Sequence, residues 1–289
     1  MILALLLAAL QAPDFRSGVT LVRLDVRVTR NGQPVTGLAA ADFTVRDEGR
    51  VQPVRYLSAE PMDLDLLLLL DTSGSMRRAI GELAANAHLA LETLRPGDRA
   101  AIATFGARAA LQLPWTGDPA AARAALGAIL AGGRSASTGI GRAVADAAAL
   151  FDDAPSRERR RAILAITDNR STEPPRAEAA AVRAALAAEA VVEAVVVPTA
   201  GPLGLADSVA RSLGRSAEDI RRIAEKTGGE WREAAAVPAT LGAAIGRLRS
   251  GYALYYAAPD SPPGKFRRVR VAVRSPGADV RHRPGYTAR

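Results

Sequence analysis

Four short, almost uninterrupted apolar runs set the tightest limit on the fold of this chain: Leu64–Leu70, Ala100–Phe105, Ala162–Ile166 and Val191–Val197. Strands this apolar are buried on both faces, as in a parallel sheet covered by helices. Amphipathic helical patterns lie between them. Ile80, Leu83, Ala84, Ala87, Ala90, Leu91 and Leu94 fall at helical spacing and stop before Pro96-Gly97. Further helices fit Pro119–Leu130, Gly139–Phe151, Pro175–Glu189, Ala217–Thr227 and Pro238–Arg249. Strand alternating with helix predicts an α/β fold, a doubly wound, Rossmann-like, mostly parallel sheet over residues 62–250.

The flanks have a different period. In residues 18–58, Leu24, Val26 and Val28 alternate with charged residues, Asn31-Gly32 is a hairpin turn, and Phe43–Arg46 and Val51–Leu57 flank Glu48-Gly49 as a second hairpin. In residues 251–287, Tyr252–Ala257 and the alternating Phe266, Val269, Val271 and Val273 are strands, punctuated by Pro262-Pro263-Gly264 and Ser275-Pro276-Gly277. Neither flank is large enough to fold alone. The expectation is one small β-sandwich-like module built from both chain ends, with the α/β domain inserted. Residues 1–12, MILALLLAALQA, are apolar but shorter than the roughly 20 residues of a membrane span. They fit a signal peptide with Ala12 as cleavage residue, and so a periplasmic or secreted address. No later stretch is long enough to cross a bilayer.

Two carboxylates stand at strand ends. Asp71 follows Leu64–Leu70 and Asp168 follows Ala162–Thr167. Ligands of doubly wound sheets bind beyond the carboxyl ends of the strands, where strand order reverses. Two carboxylates brought together there repel, and a bound cation removes the conflict. Asp71-Thr72-Ser73-Gly74-Ser75 adds hydroxyls, with Gly74 permitting a tight turn into the helix beginning near Arg77. The chain has no cysteine, which excludes disulfides and thiolate metal sites. An all-oxygen donor set selects a hard cation: Mg²⁺ first, then Mn²⁺ or Ca²⁺.

Asp71, Ser73 and Ser75 form an Asp-x-Ser-x-Ser string that resembles the metal-ion-dependent adhesion site of the von Willebrand factor A family. The segment Thr138-Gly139-Ile140-Gly141-Arg142-Ala143-Val144 is similar to the one carrying the family's threonine, with Ser137 a competing ligand. Thr167-Asp168-Asn169 stands where many members have Thr-Asp-Gly. The resemblance implies metal ligation by Asp71, Ser73, Ser75, Thr138 and Asp168, and a protein partner that donates Glu or Asp to the ion. The flanks, through Asn31-Gly32-Gln33-Pro34-Val35, Asp47-Glu48-Gly49-Arg50 and Arg283-Pro284-Gly285-Tyr286, resemble the exported "VWFA-related" proteins of Acidobacteria. The implied role is extracytoplasmic adhesion or assembly.

Other classes fit less well. Net charge is +8, yet the arginines are scattered, with Arg159-Arg160-Arg161 the one run, and no aromatics are interleaved for base stacking. A nucleic-acid partner is therefore not expected. A Ser-His-Asp triad needs a placed histidine, and the chain has only His88 and His282. Aspartyl phosphatases place a second Asp two residues after the first, where this chain has Ser73. The expectation is a binding protein and not an enzyme. The alternatives are a Mg²⁺-dependent hydrolase and an assembly subunit with a structural metal. Glu173-Pro174-Pro175 and Pro198–Leu205 are expected to be surface loops, with Trp115 and Trp231 packing at element ends.

Overall fold

The computed structural model describes residues 20–79, 81, 87, 91–131, 135, 137–154, 158–171, 176–198, 220–234 and 237–288. The expected signal peptide at residues 1–12, His88, Glu173-Pro174-Pro175 and most of the Pro198–Leu205 loop lie outside these residues.

The chain starts in the β module with β1 (Leu21–Arg30), β2 (Gln33–Pro34), β3 (Phe43–Asp47), β4 (Arg50–Gln52) and β5 (Tyr56–Ser58). The α/β domain follows with β6 (Leu64–Asp71), β7 (Arg99–Phe105), β8 (Ala109–Thr116), α1 (Pro119–Ala131), α2 (Ile140–Ala149) and β9 (Arg160–Thr167). It continues through α3 (Arg176–Ala187), β10 (Ala190–Val196), α4 (Ile220–Thr227), β11 (Trp231–Glu233) and α5 (Val237–Arg249). The chain then returns to the module with β12 (Tyr252–Ala257), β13 (Phe266–Val273), β14 (Asp279–His282) and β15 (Gly285–Thr287).

The large sheet has the order β11-β10-β9-β6-β7-β8. All its pairings are parallel except β7 with β8. Every residue of β6 and β9 is buried. The alternation of the pleat divides the core in two. Leu64, Leu66, Leu68 and Leu70 pack with Leu126 of α1 and with Leu241 and Ile245 of α5. Leu67 and Leu69 pack on the other face with Val144 of α2, Ala181 of α3 and Ile223 of α4. The edge strand β8 has no counterpart in the sequence reading, because none of its residues is fully buried, its register is broken and it carries Pro114.

The module is two antiparallel sheets around one core. The first has the path β14-β1-β12-β5, and the second has the order β15-β13-β3-β4. Leu24 of β1 lies opposite Leu254 of β12, so the two chain ends are strand neighbours. The expected single strand Val51–Leu57 is two strands. Pro53 has no N–H for a ladder, and the chain crosses there from the sheet of β3 to that of β12.

Inside the sandwich, buried Asp47 accepts hydrogen bonds from Tyr256 Oη at 2.9 Å, Tyr286 Oη at 2.9 Å and Arg267 Nε at 2.8 Å. Burial, together with the Asp47 charge, pushes both phenols above their ordinary pKa. The alternation pattern gave no hint of this network, since it is closed by residues 209 to 239 positions away from Asp47.

Arginines join the module to the start of the parallel strands. Arg27 of β1 pairs with Glu193 of β10 at 2.6 Å and donates to Gly228 O at 3.0 Å. Arg281 donates to Gly229 O at 3.2 Å, and Arg283 pairs with Glu189 at 3.1 Å. The Arg159-Arg160-Arg161 run is consumed here too. Arg159 binds Asp65 and Asp63, and Arg161 donates to Ala188 O. Arg160 donates to Leu248 O and Arg249 O, both at 2.9 Å, and so satisfies the carbonyls orphaned at the end of α5. Gly228 has φ +88°, and a Cβ on it would come within 2.4 Å of His282 carbonyl carbon, so only glycine permits this approach.

Replacing Asp47 by Ala leaves a buried guanidinium uncompensated and should cost about 3–5 kcal/mol of stability, read as a lowered guanidinium chloride midpoint. An unchanged midpoint would show that the network does not stabilise the sandwich. His282 supplies a pH test. Its Nε2 accepts from Val271 N–H at 3.1 Å and its Nδ1 lies 2.7 Å from Arg283 O. Burial lowers its pKa. The unfolded chain therefore binds the proton first, and stability should fall as pH drops below about 6.5 towards the depressed native value. His282→Gln should flatten that part of the profile in urea titrations.

Candidate metal centre

β6 and β9 are adjacent and parallel, with Leu70 opposite Ile166. The chain leaves β6 for β7 on one side and returns to β9 on the other, so the strand order reverses between β6 and β9. Asp71 closes β6, and Asp168 is the first residue beyond β9. Both carboxylates thus stand at the carboxyl-end crevice of the switch point.

Asp71 is fully buried. Its Oδ1 accepts from Ser73 N–H at 2.8 Å, and its Oδ2 accepts from Thr167 Oγ1 at 2.6 Å. Burial pushes its pKa above the ordinary carboxylate value and the charge of Asp168 adds to the rise, while the donors Thr167 and Ser73 oppose it. Ser73 follows in extended conformation and caps the 3-10 turn Gly74–Arg78, which carries Ser75. The Ser73 and Ser75 hydroxyl oxygens are 3.1 Å apart, with Ser73 buried and Ser75 exposed. The two hydroxyls are thus within hydrogen-bond reach of each other, with the Ser75 side open to solvent.

A second segment is laid against this turn by backbone hydrogen bonds. Ser135 N–H donates to Thr72 O at 3.2 Å, and Gly74 N–H donates to Ser135 O at 3.1 Å. Thr72 is held in turn by its N–H and its hydroxyl, which both donate to Phe105 O. Gly106 makes the approach possible, because a Cβ there would lie 2.1 Å from Ser135 Cβ. Gly139 N–H donates to Gly106 O at 2.7 Å, which fixes the chain beside Thr138 just before α2. Thr138 is buried. Ser137, the competing position, has its carbonyl engaged by the Ser135 hydroxyl at 2.9 Å.

At the third segment Asn169 takes φ +60°, the left-handed turn that Asn tolerates and that Gly would take freely. Its side chain is also used: Oδ1 accepts from Ile220 N–H at 2.9 Å, satisfying an orphan donor at the start of α4. Asp168 is buried, its Oδ1 accepts from Arg170 N–H at 3.2 Å, and Arg170 Nε lies 3.8 Å from its Oδ2. Thr167, Thr72 and Ser135 are the residues that sequence reasoning did not assign a role, and the Asn169 side-chain bond was likewise unassigned. Only their position beside the ligand motif could have marked them.

All five sequence-assigned residues, Asp71, Ser73, Ser75, Thr138 and Asp168, lie on the three segments that meet at this end of the sheet. The donor set is carboxylate and hydroxyl oxygen, which suits Mg²⁺, Mn²⁺ or Ca²⁺. Among the described residues no group of three or more His, Cys, Asp or Glu could hold a metal, so a cation here would depend on the hydroxyls. The described histidine, His282, is in the β module and cannot act as a base at this crevice.

The profile of the von Willebrand factor type A domain matches residues 66–170, which contain all five residues. No curated protein matches the chain. Among solved structures, an aerotolerance-related membrane protein from Bacteroides fragilis aligns at 20% identity and TM-score 0.51, covering 64% of this chain and 98% of that one. A von Willebrand factor type A protein from Catenulispora acidiphila aligns at 17% identity and TM-score 0.50, covering 92% of this chain and 73% of that one. These likenesses show a shared fold. Among the described residues no helix is long and apolar enough to cross a membrane.

The raised pKa of Asp71 has a measurable consequence. Without metal the folded chain holds the Asp71 proton to higher pH than the unfolded chain does, so stability is lost progressively as pH rises through the elevated native value. In EDTA at pH 7, Asp71→Asn should therefore unfold at or above the wild-type temperature, and wild type should regain ground as pH falls towards 4. A variant that unfolds well below wild type in EDTA would contradict this account of Asp71.

Proposed function

We propose that this chain is an extracytoplasmic, divalent-metal-dependent protein-binding protein acting in adhesion or assembly, with Mg²⁺ held by Asp71, Ser73, Ser75, Thr138 and Asp168. The observation that carries the reading is the fully buried Asp71 beside Asp168, facing the Ser73–Ser75 hydroxyl pair. A cation is the species that makes both carboxylates favourable as anions in this crevice. The von Willebrand factor type A match over the same residues supports it. The apolar residues 1–12 support the address.

The chain's own residues would divide the work as follows. Ser73, Ser75 and Thr138 bind through hydroxyls, and Asp71 and Asp168 bind directly or through water. Thr167 and the Ser73 N–H orient Asp71. A bound ion supplies electrophilic attraction for a carboxylate, since hydroxyls neutralise little of its charge.

The test is the unfolding midpoint in Mg²⁺, Mn²⁺, Ca²⁺ or EDTA, for wild type and Asp71→Ala. At a hundredfold excess over its dissociation constant a metal should stabilise wild type by about 2.7 kcal/mol and leave the variant unmoved. Mg²⁺-dependent retention of an acidic protein that EDTA releases would extend the result to binding. A midpoint indifferent to every cation would end the metal reading.

A further inference from the structure

We propose that the outward face of the sheet β15-β13-β3-β4 is a docking surface for a bilayer of anionic phospholipids, with Arg46, Arg268, Arg270 and Arg274 meeting the lipid phosphates. This surface belongs to the β module and is independent of the metal centre.

Strand alternation turns arginines outward on both sheets of the module, and the two faces use them differently. On the first sheet, Arg23 and Arg27 of β1 and Arg281 of β14 are all bonded to the α/β domain. Arg23 donates to Arg159 O at 2.9 Å, Arg27 pairs with Glu193 at 2.6 Å, and Arg281 donates to Gly229 O at 3.2 Å. On the second sheet, Arg268 and Arg270 of β13 are exposed while Arg267 and Val269 between them are buried. Arg274, just past the end of β13, and Arg46 of β3 are exposed as well. Among the described residues the guanidinium groups of Arg268, Arg270 and Arg274 meet no carboxylate, and that of Arg46 donates to Gly49 O at 3.2 Å. The acids nearby are already engaged by backbone: Glu48 accepts from Arg268 N–H at 2.6 Å, and Asp42 accepts from Ala39 N–H at 2.8 Å.

The register makes this concentration of charge costly. Arg270 lies directly opposite Arg46, and like charges so placed, about 5 Å apart at Cβ, repel. An external anion relieves that repulsion, and the guanidinium fork matches phosphate oxygens two at a time. Shape decides the form of the anion. The arginines stand on the face of the sheet and not along its edge, so an extended peptide would find no main-chain ladder there. They occupy two strands and run about 20 Å along β13 from Arg268 to Arg274. A plane of phosphates fits such a spread. The aromatic ring of this face is already used: a Cβ on Gly285 would lie 2.6 Å from Phe266 Cζ, so Phe266 covers that glycine. The contact is therefore with headgroups, and it is electrostatic and sensitive to salt.

The experiment measures co-sedimentation of the full chain with vesicles of phosphatidylglycerol and phosphatidylcholine, and with vesicles of phosphatidylcholine alone. EDTA is present so that no ion bridges lipid and protein. Wild type should bind the anionic vesicles at about 0.1 M salt and leave them at about 1 M, where charges are screened within about 3 Å. The triple variant Arg268→Thr, Arg270→Thr, Arg274→Thr should bind about a hundredfold more weakly, and Arg270→Thr alone about fivefold. Threonine keeps the strand preference, and loss of the Arg46–Arg270 repulsion should leave the unfolding midpoint unchanged or higher. A charge-matched variant, Arg95→Gln, Arg123→Gln, Arg183→Gln, removes three exposed arginines of the α/β domain and should keep most of the binding. Equal losses in the two triple variants would assign the binding to net charge and overturn the docking surface. Equal binding to phosphatidylcholine alone would assign it to apolar contact, such as residues 1–12, and overturn it too. Retention on immobilised polyglutamate that needs the β13 arginines, without binding to anionic vesicles, would make the partner an acidic polypeptide and overturn the membrane as occupant.

Discussion

A carboxylate buried at the end of a fully buried strand, apolar apart from Asp65 near its start, is the constraint around which the upper half of this molecule is arranged. Asp71 terminates β6 with no exposed surface, so its charge must be answered locally. Thr167 and the Ser73 N–H each give it one hydrogen bond, and Asp168 adds a second negative charge nearby. The tight turn at Ser73, the close approach of Ser135 and the positive φ of Asn169 all bring oxygen atoms or their supports towards the same point. Burial and the nearby charge of Asp168 raise the pKa of Asp71, so its anion is disfavoured in this crevice unless a positive charge answers it.

The lower half follows a different rule. There the start of the parallel strands is closed by guanidinium groups. Arg27, Arg281 and Arg283 reach from the β module to carbonyls and carboxylates of the α/β domain, while Arg160 closes the end of α5. Burial pushes the Glu193 carboxyl upward in pKa, and Arg27 and Arg247 pull it back. Pairs this well desolvated fix relative orientation more than they add net stability. Their placement at the strand starts leaves the carboxyl-end crevice uncovered by the module. At this end the strongly basic composition is thus largely an internal bonding material.

Some elements were legible because one local periodicity sufficed. The apolar runs of β6, β7, β9 and β10, the amphipathic α1 to α5 and the Asn31-Gly32 turn can each be read from a short window. Elements without such a signal were not legible. The half-exposed β8 looks like loop because an edge strand needs only one ladder of hydrogen bonds and little burial. Pro53 splits one apparent strand into two that belong to opposite sheets. The Asp47 network joins residues from both ends of the chain, and no local pattern encodes which tyrosine will meet which carboxylate.

The sequence by itself determined the fold class and marked the candidate oxygen donors, because burial on two faces and an Asp-x-Ser-x-Ser spacing are both short-range properties. Tertiary structure alone decided how those residues are held. Thr167 touches Asp71 only because β9 lies beside β6, and Ser135 reaches Thr72 only because Gly106 leaves room. The same holds for Arg159, Arg160 and Arg161. As a string they are a basic run, and as a structure they are three separate clamps, since Arg159 precedes β9 and the successive strand residues Arg160 and Arg161 face opposite sides and meet different partners.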